Sequence, residues 1–253
     1  TVPEVRKAAF HQYYAQYECH ANTLAATLSG SNERDAYAAK VRCHPSAVEA
    51  ALFADNVPLA VYDQLIAAVR AHLPIVHRYY ELRRRLLGLD EIHHYDCYVP
   101  LVPELEQKHT WAEAIQEITV SLQPLGAEYC DQLEAGLRGR WCDRYPNVGK
   151  QSGAFSSGTY ESDPYILMNF QEDVIEHVFT LAHEAGHSMH TRLSADAQPF
   201  QYAGYTIFVA EVASTFNEQL LTRHLLSKAH SPKQRAAIIS REIDAIRGTI
   251  IRQ

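Results

Sequence analysis

His183-Glu184-Ala185-Gly186-His187 is the stretch on which the reading of this chain turns. It matches H-E-x-x-H and lies in a run with helical character from about Gln171 to Arg192. Residues four apart share one face of an α-helix, so both imidazoles can reach a single ion. Glu184 follows the first imidazole by one position and can reach a water on that ion. Val174, Val178, Leu181 and Ala182 give the run an apolar face, which predicts a helix seated in protein.

Two histidines and a glutamate at these positions also occur by chance in ordinary helices, so a third ligand is needed. In the metzincin pattern a histidine six residues after His187 would supply it; position 193 is Leu, which excludes that class. The alternative is a carboxylate on a following helix. Glu211 is the only charged residue between Asp196 and Glu218. A carboxylate in so apolar a run is costly to bury unless it meets a cation. The expected ligands are therefore His183, His187 and Glu211, with Glu184 as general base. Thr215 and Glu218 lie further along the same face, and Glu218 is expected to accept an N–H from a ligand imidazole, a surface ion pair being the competing reading. His190 reads as a packing or surface group. So do His177 and the pair His93-His94, which lack metal-ligand spacing to a partner.

Before the motif helix the texture changes. From Gly149 to Phe170 helical spacing is lost, and two extended runs joined by Glu161-Ser162-Asp163-Pro164 read as a hairpin turned by Asp-Pro. For the glycines of this stretch a tight turn without ligand is one reading. Elsewhere apolar residues recur at helical spacing, as in Tyr62, Leu65, Ile66, Val69 and Leu73, or Trp111, Ile115, Ile118 and Leu122. Pro58 and Pro74 fall between apolar runs, Gly88 closes Tyr79 to Leu87, Pro124 kinks or divides its helix, and Ser231-Pro232 opens the last one. The expected fold is mainly α and multi-helical, with one small β-hairpin or sheet beside the motif helix. With no repeat or linker in view, residues 1–253 read as one unit: a helical framework in 1–148, the hairpin in 149–170 and the metal-binding helices in 171–253.

At 47% hydrophobic and 21% charged, the 253 residues suffice for a sizeable core and are too apolar for disorder. A net charge of −7 argues against a phosphate-neutralising surface, so nucleic acid is a poor partner. Arg83-Arg84-Arg85, between Leu82 and Leu86, read as a solvated helix face. The five cysteines are scattered and form no C-x-x-C pair, which excludes a cysteine zinc site and fits a reducing compartment. No uninterrupted apolar stretch approaches the ~18 residues of a membrane span, and Thr1 to Phe10 carry charge; a cytoplasmic setting without membrane partners is expected. Thr1 in place of an initiator Met, and Arg252-Gln253 cutting the pattern of Ile239, Ile243, Ile246 and Ile250, read as the ends of a fragment.

The block from Glu176 to His190 resembles the zinc helix of the oligoendopeptidase F family. Tyr205 to Glu218 looks like the helix carrying that family's third zinc ligand, and Ser152 to Gly158 like its substrate-side strand, which implies Gly153, Ala154 and Phe155 as substrate-binding residues, with strand addition along Gly153 to Tyr160 holding a peptide extended. The likeness runs back through Tyr95 to Leu101 and covers essentially the whole chain. It implies a zincin-type metallopeptidase related to thimet oligopeptidase, with one Zn2+ per chain and a deep channel that admits short peptides and excludes folded proteins. Cleavage at internal bonds is the favoured activity. A zinc carboxypeptidase or dipeptidyl carboxypeptidase, and a zinc-binding helical module without catalysis, stay open as alternatives. The departure is length: the family continues past the Glu211 helix into a segment whose His and Tyr residues stabilise the oxyanion.

Overall fold

Helices dominate the computed structural model, which describes residues 2–102 and 108–252. The chain divides into two units, Thr1–Pro103 with Ile243–Gln253, and Glu104–Glu242, where one was expected. No Pro-, Gly- or Ser-rich linker marks the division, so composition carries no sign of it.

In the first unit lie α1 (Pro3–Glu18), α2 (Ala21–Val41), α3 (Ala47–Phe53) and α4 (Leu59–Leu86). Ser46 caps α3 by accepting the Glu49 N–H, and Gly88, at φ 66°, makes the left-handed turn after α4. Pro74 lies inside α4 rather than between helices. Its missing N–H leaves the Arg70 carbonyl without an intrahelical donor on an exposed stretch, where water can serve, and the helix continues on both sides. The same helix is long and apolar enough, by length and composition, to cross a membrane; Asp63, Arg70 and His72 interrupt it, so no continuous apolar run shows this.

Among the described residues of this unit only Ala39, Arg83, Asp96 and Cys97 are buried. Arg83 corrects the expectation of a solvated arginine face. Successive helical residues are about 100° apart, so three in a row cannot all face outward. Arg83 turns inward and donates to the Asp96 and Val99 carbonyls and the Tyr79 hydroxyl, while Arg84 pairs with Glu81 at 2.8 Å and Arg85 stays exposed. The Asp96 carboxylate accepts from Arg6 at 2.7 Å and from the His93 N–H at 3.0 Å, completing a polar node.

The second unit opens with α5 (Trp111–Ser121), begun by a capping box between Thr110 and Glu113. Pro124, in a short 3-10 turn, divides α5 from α6 (Ala127–Arg138). Then come β1 (Cys142–Asp143), β2 (Phe155–Ser157) and β3 (Tyr165–Leu167), in a sheet ordered β1-β3-β2. β2 and β3 form the expected antiparallel hairpin, with Ser156 opposite Ile166. β1 pairs with β3 in parallel and, at two residues, is too short for any alternation to announce it. Three helices complete the order: α7 (Ile175–Ala197), α8 (Ile207–Lys228) and α9 (Pro232–Ile246), the last capped by Ser231 accepting the Gln234 N–H. Ile115, Ile118, Leu133, Leu137, Ile166, Met168, Phe170, Phe179, Leu181 and Met189 fill the core between these elements, each at most 2% exposed. Burying such a side chain stabilises by about 1.5–3 kcal/mol, which is why the sheet and α7 hold one arrangement.

Candidate metal centre

α7 is anchored in the core by Val178, Phe179, Leu181 and Ala182, each at most 1% exposed. Its next turns meet α8 at Gly186, where a Cβ would lie 2.7 Å from Ser214 Cα and 2.8 Å from the Ala213 carbonyl oxygen. Only glycine lets the two backbones approach so closely. Asn217, buried on α8, fastens the crossing by donating to the Ala182 carbonyl at 3.2 Å. Glu211, one turn before Ser214, is thereby brought to the imidazoles.

His183 Nε2 and His187 Nε2 stand 3.1 Å apart, and Glu211 Oε2 lies 3.4 and 3.7 Å from them. Ligands about 2.0–2.1 Å from a tetrahedral zinc are separated from one another by about 3.3 Å, so these three spacings fit the edges of one tetrahedron. Two imidazole nitrogens and a carboxylate oxygen also form a donor set that suits zinc and leaves a fourth position open. Ser214 orients the Glu211 carboxylate by donating to Oε2 at 2.9 Å. Glu218 Oε1 accepts from His183 Nδ1 at 2.8 Å, which assigns the proton to Nδ1 and leaves the Nε2 lone pair facing the other two groups. The second oxygen of Glu218 accepts from Arg241 Nη2 at 3.2 Å.

The electrostatics separate the titratable groups. Burial raises the Glu184 pKa, the Glu211 charge adds to this, and His183 with the Ser156 backbone N–H offset it only in part. Burial alone would lower His183, but the Glu218 hydrogen bond and the nearby carboxylate charges outweigh it and the net shift is upward. His187 moves down, chiefly through burial and then through the His183 charge. Burial would raise Glu218, yet its bond to His183 and the Arg241 charge bring it below the usual carboxylate range.

The structure thus brings His183, His187, Glu211 and Glu218 together, with Glu184 buried on the same helix. The reason given for Glu211 does not hold: its side chain is 50% exposed, and its apolar neighbours Ile207, Phe208, Val212 and Phe216 are exposed too. The close helix crossing, not burial, sets its place. Thr215 only bonds back to the Glu211 carbonyl. In the hairpin, Gly153 has φ 91° and its carbonyl accepts from Asn169, as in a tight turn. Ala154 packs against the core and Phe155 is exposed on β2. The hairpin residue joined to the site is one passed over, Ser156, through its N–H to Glu184 and its hydroxyl 2.8 Å from that of Ser188. His190 stacks on Tyr205 at 3.7 Å, and His177 accepts the Gln171 N–H. Gly186, inside the motif, could have been read as a close-approach residue; Ser214, Asn217 and Arg241 follow no spacing rule.

The second unit is thus a mainly helical one in which an H-E-x-x-H helix crosses a glutamate-bearing helix beside a small sheet, with a His/His/Glu group that could hold a metal ion. Residues 1–253 match Peptidase family M3, and the chain belongs to that family. It is 47% identical over 250 residues to Oligopeptidase PepF of Bacillus subtilis, a match spanning 99% of this chain and 37% of that protein. The Oligoendopeptidase F homolog of Lactococcus lactis is 41% identical, with 98% and 41% covered. Among solved structures, oligoendopeptidase-F from Enterococcus faecium superposes with a TM-score of 0.69 at 33% identity, covering 100% of this chain and 37% of that one. The chain therefore spans about two fifths of the length of the relatives it matches.

Proposed function

We propose that this chain forms the zinc-binding part of a metallopeptidase that hydrolyses internal bonds of short peptides. The observation that carries the reading is the convergence of His183, His187 and Glu211 at tetrahedral spacing beside Glu184. His183, His187 and Glu211 would hold one Zn2+, and Glu218, which accepts from His183 Nδ1, would orient that imidazole. When bound, zinc polarises the scissile carbonyl and acidifies an attacking water. Glu184, buried on α7 and facing the Ser156 N–H, takes the proton from that water as a carboxylate and passes it to the leaving amine, acting first as base and then as acid. β2 is an edge strand in the sheet, so an extended peptide can add along Ala154 and Phe155 by backbone hydrogen bonds, with Gly153 turning the chain into the strand, next to the Ser156 N–H that faces Glu184. On this reading residues 149–170 line the substrate cleft, 171–253 supply the zinc-binding helices and 1–148 the framework. A cytoplasmic setting accords with five free cysteines.

Glu184→Gln tests the assignment. Zinc per chain should stay near one, while cleavage of a quenched fluorescent peptide by the full-length form falls by about 10²–10⁴. Unchanged cleavage with zinc retained would sink the general-base role. Product ladders trimmed only from one end would replace the endopeptidase reading with a carboxypeptidase one.

A further inference from the structure

We infer that Arg241 is a positioning residue for the metal centre, fixing the orientation of Glu218 and, through it, of the His183 imidazole. This rests on the zinc reading above. Arg241 lies on α9 with its side chain 19% exposed. Of its three guanidinium nitrogens only Nη2 has an acceptor among the described residues, Glu218 Oε2 at 3.2 Å; Nε and Nη1 have none. Its Cζ stands 3.2 Å over the ring of Phe179, which is 1% exposed and sits one turn before His183 on α7. The guanidinium is thus braced on the helix that carries the imidazole and hydrogen-bonded to the carboxylate that holds it.

Packing alone would not select such an arrangement, because a buried guanidinium with two unpaired donors is unfavourable. Nor is Arg241 needed simply to dock α9. The next residue, Glu242, already ties α9 to α8 by accepting from Gln219 at 2.5 Å and from Thr222 at 3.3 Å. Arg241 instead commits the second oxygen of Glu218, as His183 commits the first. A carboxylate held at one oxygen only can turn about its terminal torsion, whose wells are broad, and the imidazole turns with it. Residues that orient a metal-binding histidine are worth about 10–100-fold in metal affinity. Arg241 acts one bond further out and belongs at the lower end.

The experiment loads the chain with Zn2+ and follows release into a chelator, and separately records the visible absorption of the Co2+ form. Parent, Arg241→Met, Arg241→Lys, Glu218→Gln and the double variant Glu218→Gln/Arg241→Met are compared. Arg241→Met should release zinc about tenfold faster and alter the cobalt bands, with Arg241→Lys partly restoring both. In the Glu218→Gln background the Met substitution should add nothing. A lower melting temperature with parent-like release and cobalt bands would reduce Arg241 to a structural bolt and overturn the proposal, as would single-variant losses that multiply in the double variant. If Arg241→Met does not fold, Arg241→Lys against Glu218→Gln decides by the same coupling. Absence of zinc from every sample, parent included, would refute the metal reading itself and this proposal with it.

Discussion

The two units of this chain are held together by different means. Glu104–Glu242 encloses a continuous apolar core in which Phe170, Phe179, Leu181 and Met189 are essentially out of water. The unit of Thr1–Pro103 and Ile243–Gln253 buries four described side chains, and two of them, Arg83 and Asp96, are charged. Its helices leave Tyr37, Phe53, Leu65 and Ile75 well exposed and are shaped by caps and one polar node. The three ligand-capable groups lie in the packed unit. Ligand spacings of a few ångströms need side chains that cannot relax, and close packing provides that where a polar node on exposed helices does not.

The comparison breaks first, if it is wrong, at the core. Phe170→Ala removes a ring that is 2% exposed and meets Trp111 edge-to-face at 5.2 Å; it should cost about 3–5 kcal/mol in urea unfolding and lower zinc content as the second unit loosens. Tyr37→Ala, at a ring 69% exposed in the first unit, should stay within about 0.5 kcal/mol; equal losses at the two sites would erase the distinction.

Asp96→Ala comes next. It removes a carboxylate that accepts from Arg6, whose side chain is 12% exposed, and from the His93 N–H, and should cost about 1–3 kcal/mol. Limited proteolysis should then cut first within residues 2–102, with zinc content kept. A parallel fall in zinc content would mean that the two units do not loosen separately.

Gly186→Ala sharpens the comparison inside the packed unit. The new methyl meets backbone of α8 at 2.7 Å, so the helices must part, at about 1–3 kcal/mol, and zinc should be held more weakly than that loss of stability alone implies. Unchanged zinc affinity would show that the crossing distance does not set the ligand spacing.

The smallest effect is a pH dependence of the metal-free chain. Burial holds the Glu184 pKa above its ordinary value, so its contribution to stability is present below that ordinary value and is lost as pH rises through the raised one. Glu184→Gln should therefore gain in melting temperature relative to the parent at neutral pH and not at pH about 4. A difference that ran the other way would mean that the carboxylate is stabilised in its charged form.

Much of the second unit was legible because its signals are local. H-E-x-x-H puts two imidazoles on one face at a spacing that helix periodicity alone dictates, and Pro124 and Ser231-Pro232 mark boundaries by backbone chemistry, whereas the hairpin turns at Tyr160 and Glu161 rather than at Asp163-Pro164. The errors came where a local rule met a tertiary alternative. Pro74 is carried through α4 because its neighbours favour helix on both sides, Arg83 is drawn inward by carbonyls from a later segment, and β1 exists only because β3 offers it a partner.

Sequence by itself therefore determined the helical class and the alignment of His183 with His187, since each depends on residues within a few positions of one another. That Glu211 meets them half-exposed, that Ser156 turns its N–H to Glu184, and that Arg241 closes on Glu218 were decided only by the tertiary structure. Those contacts join residues far apart in the chain, and the first of them needs the backbone approach at Gly186 that depends on how α7 and α8 pack.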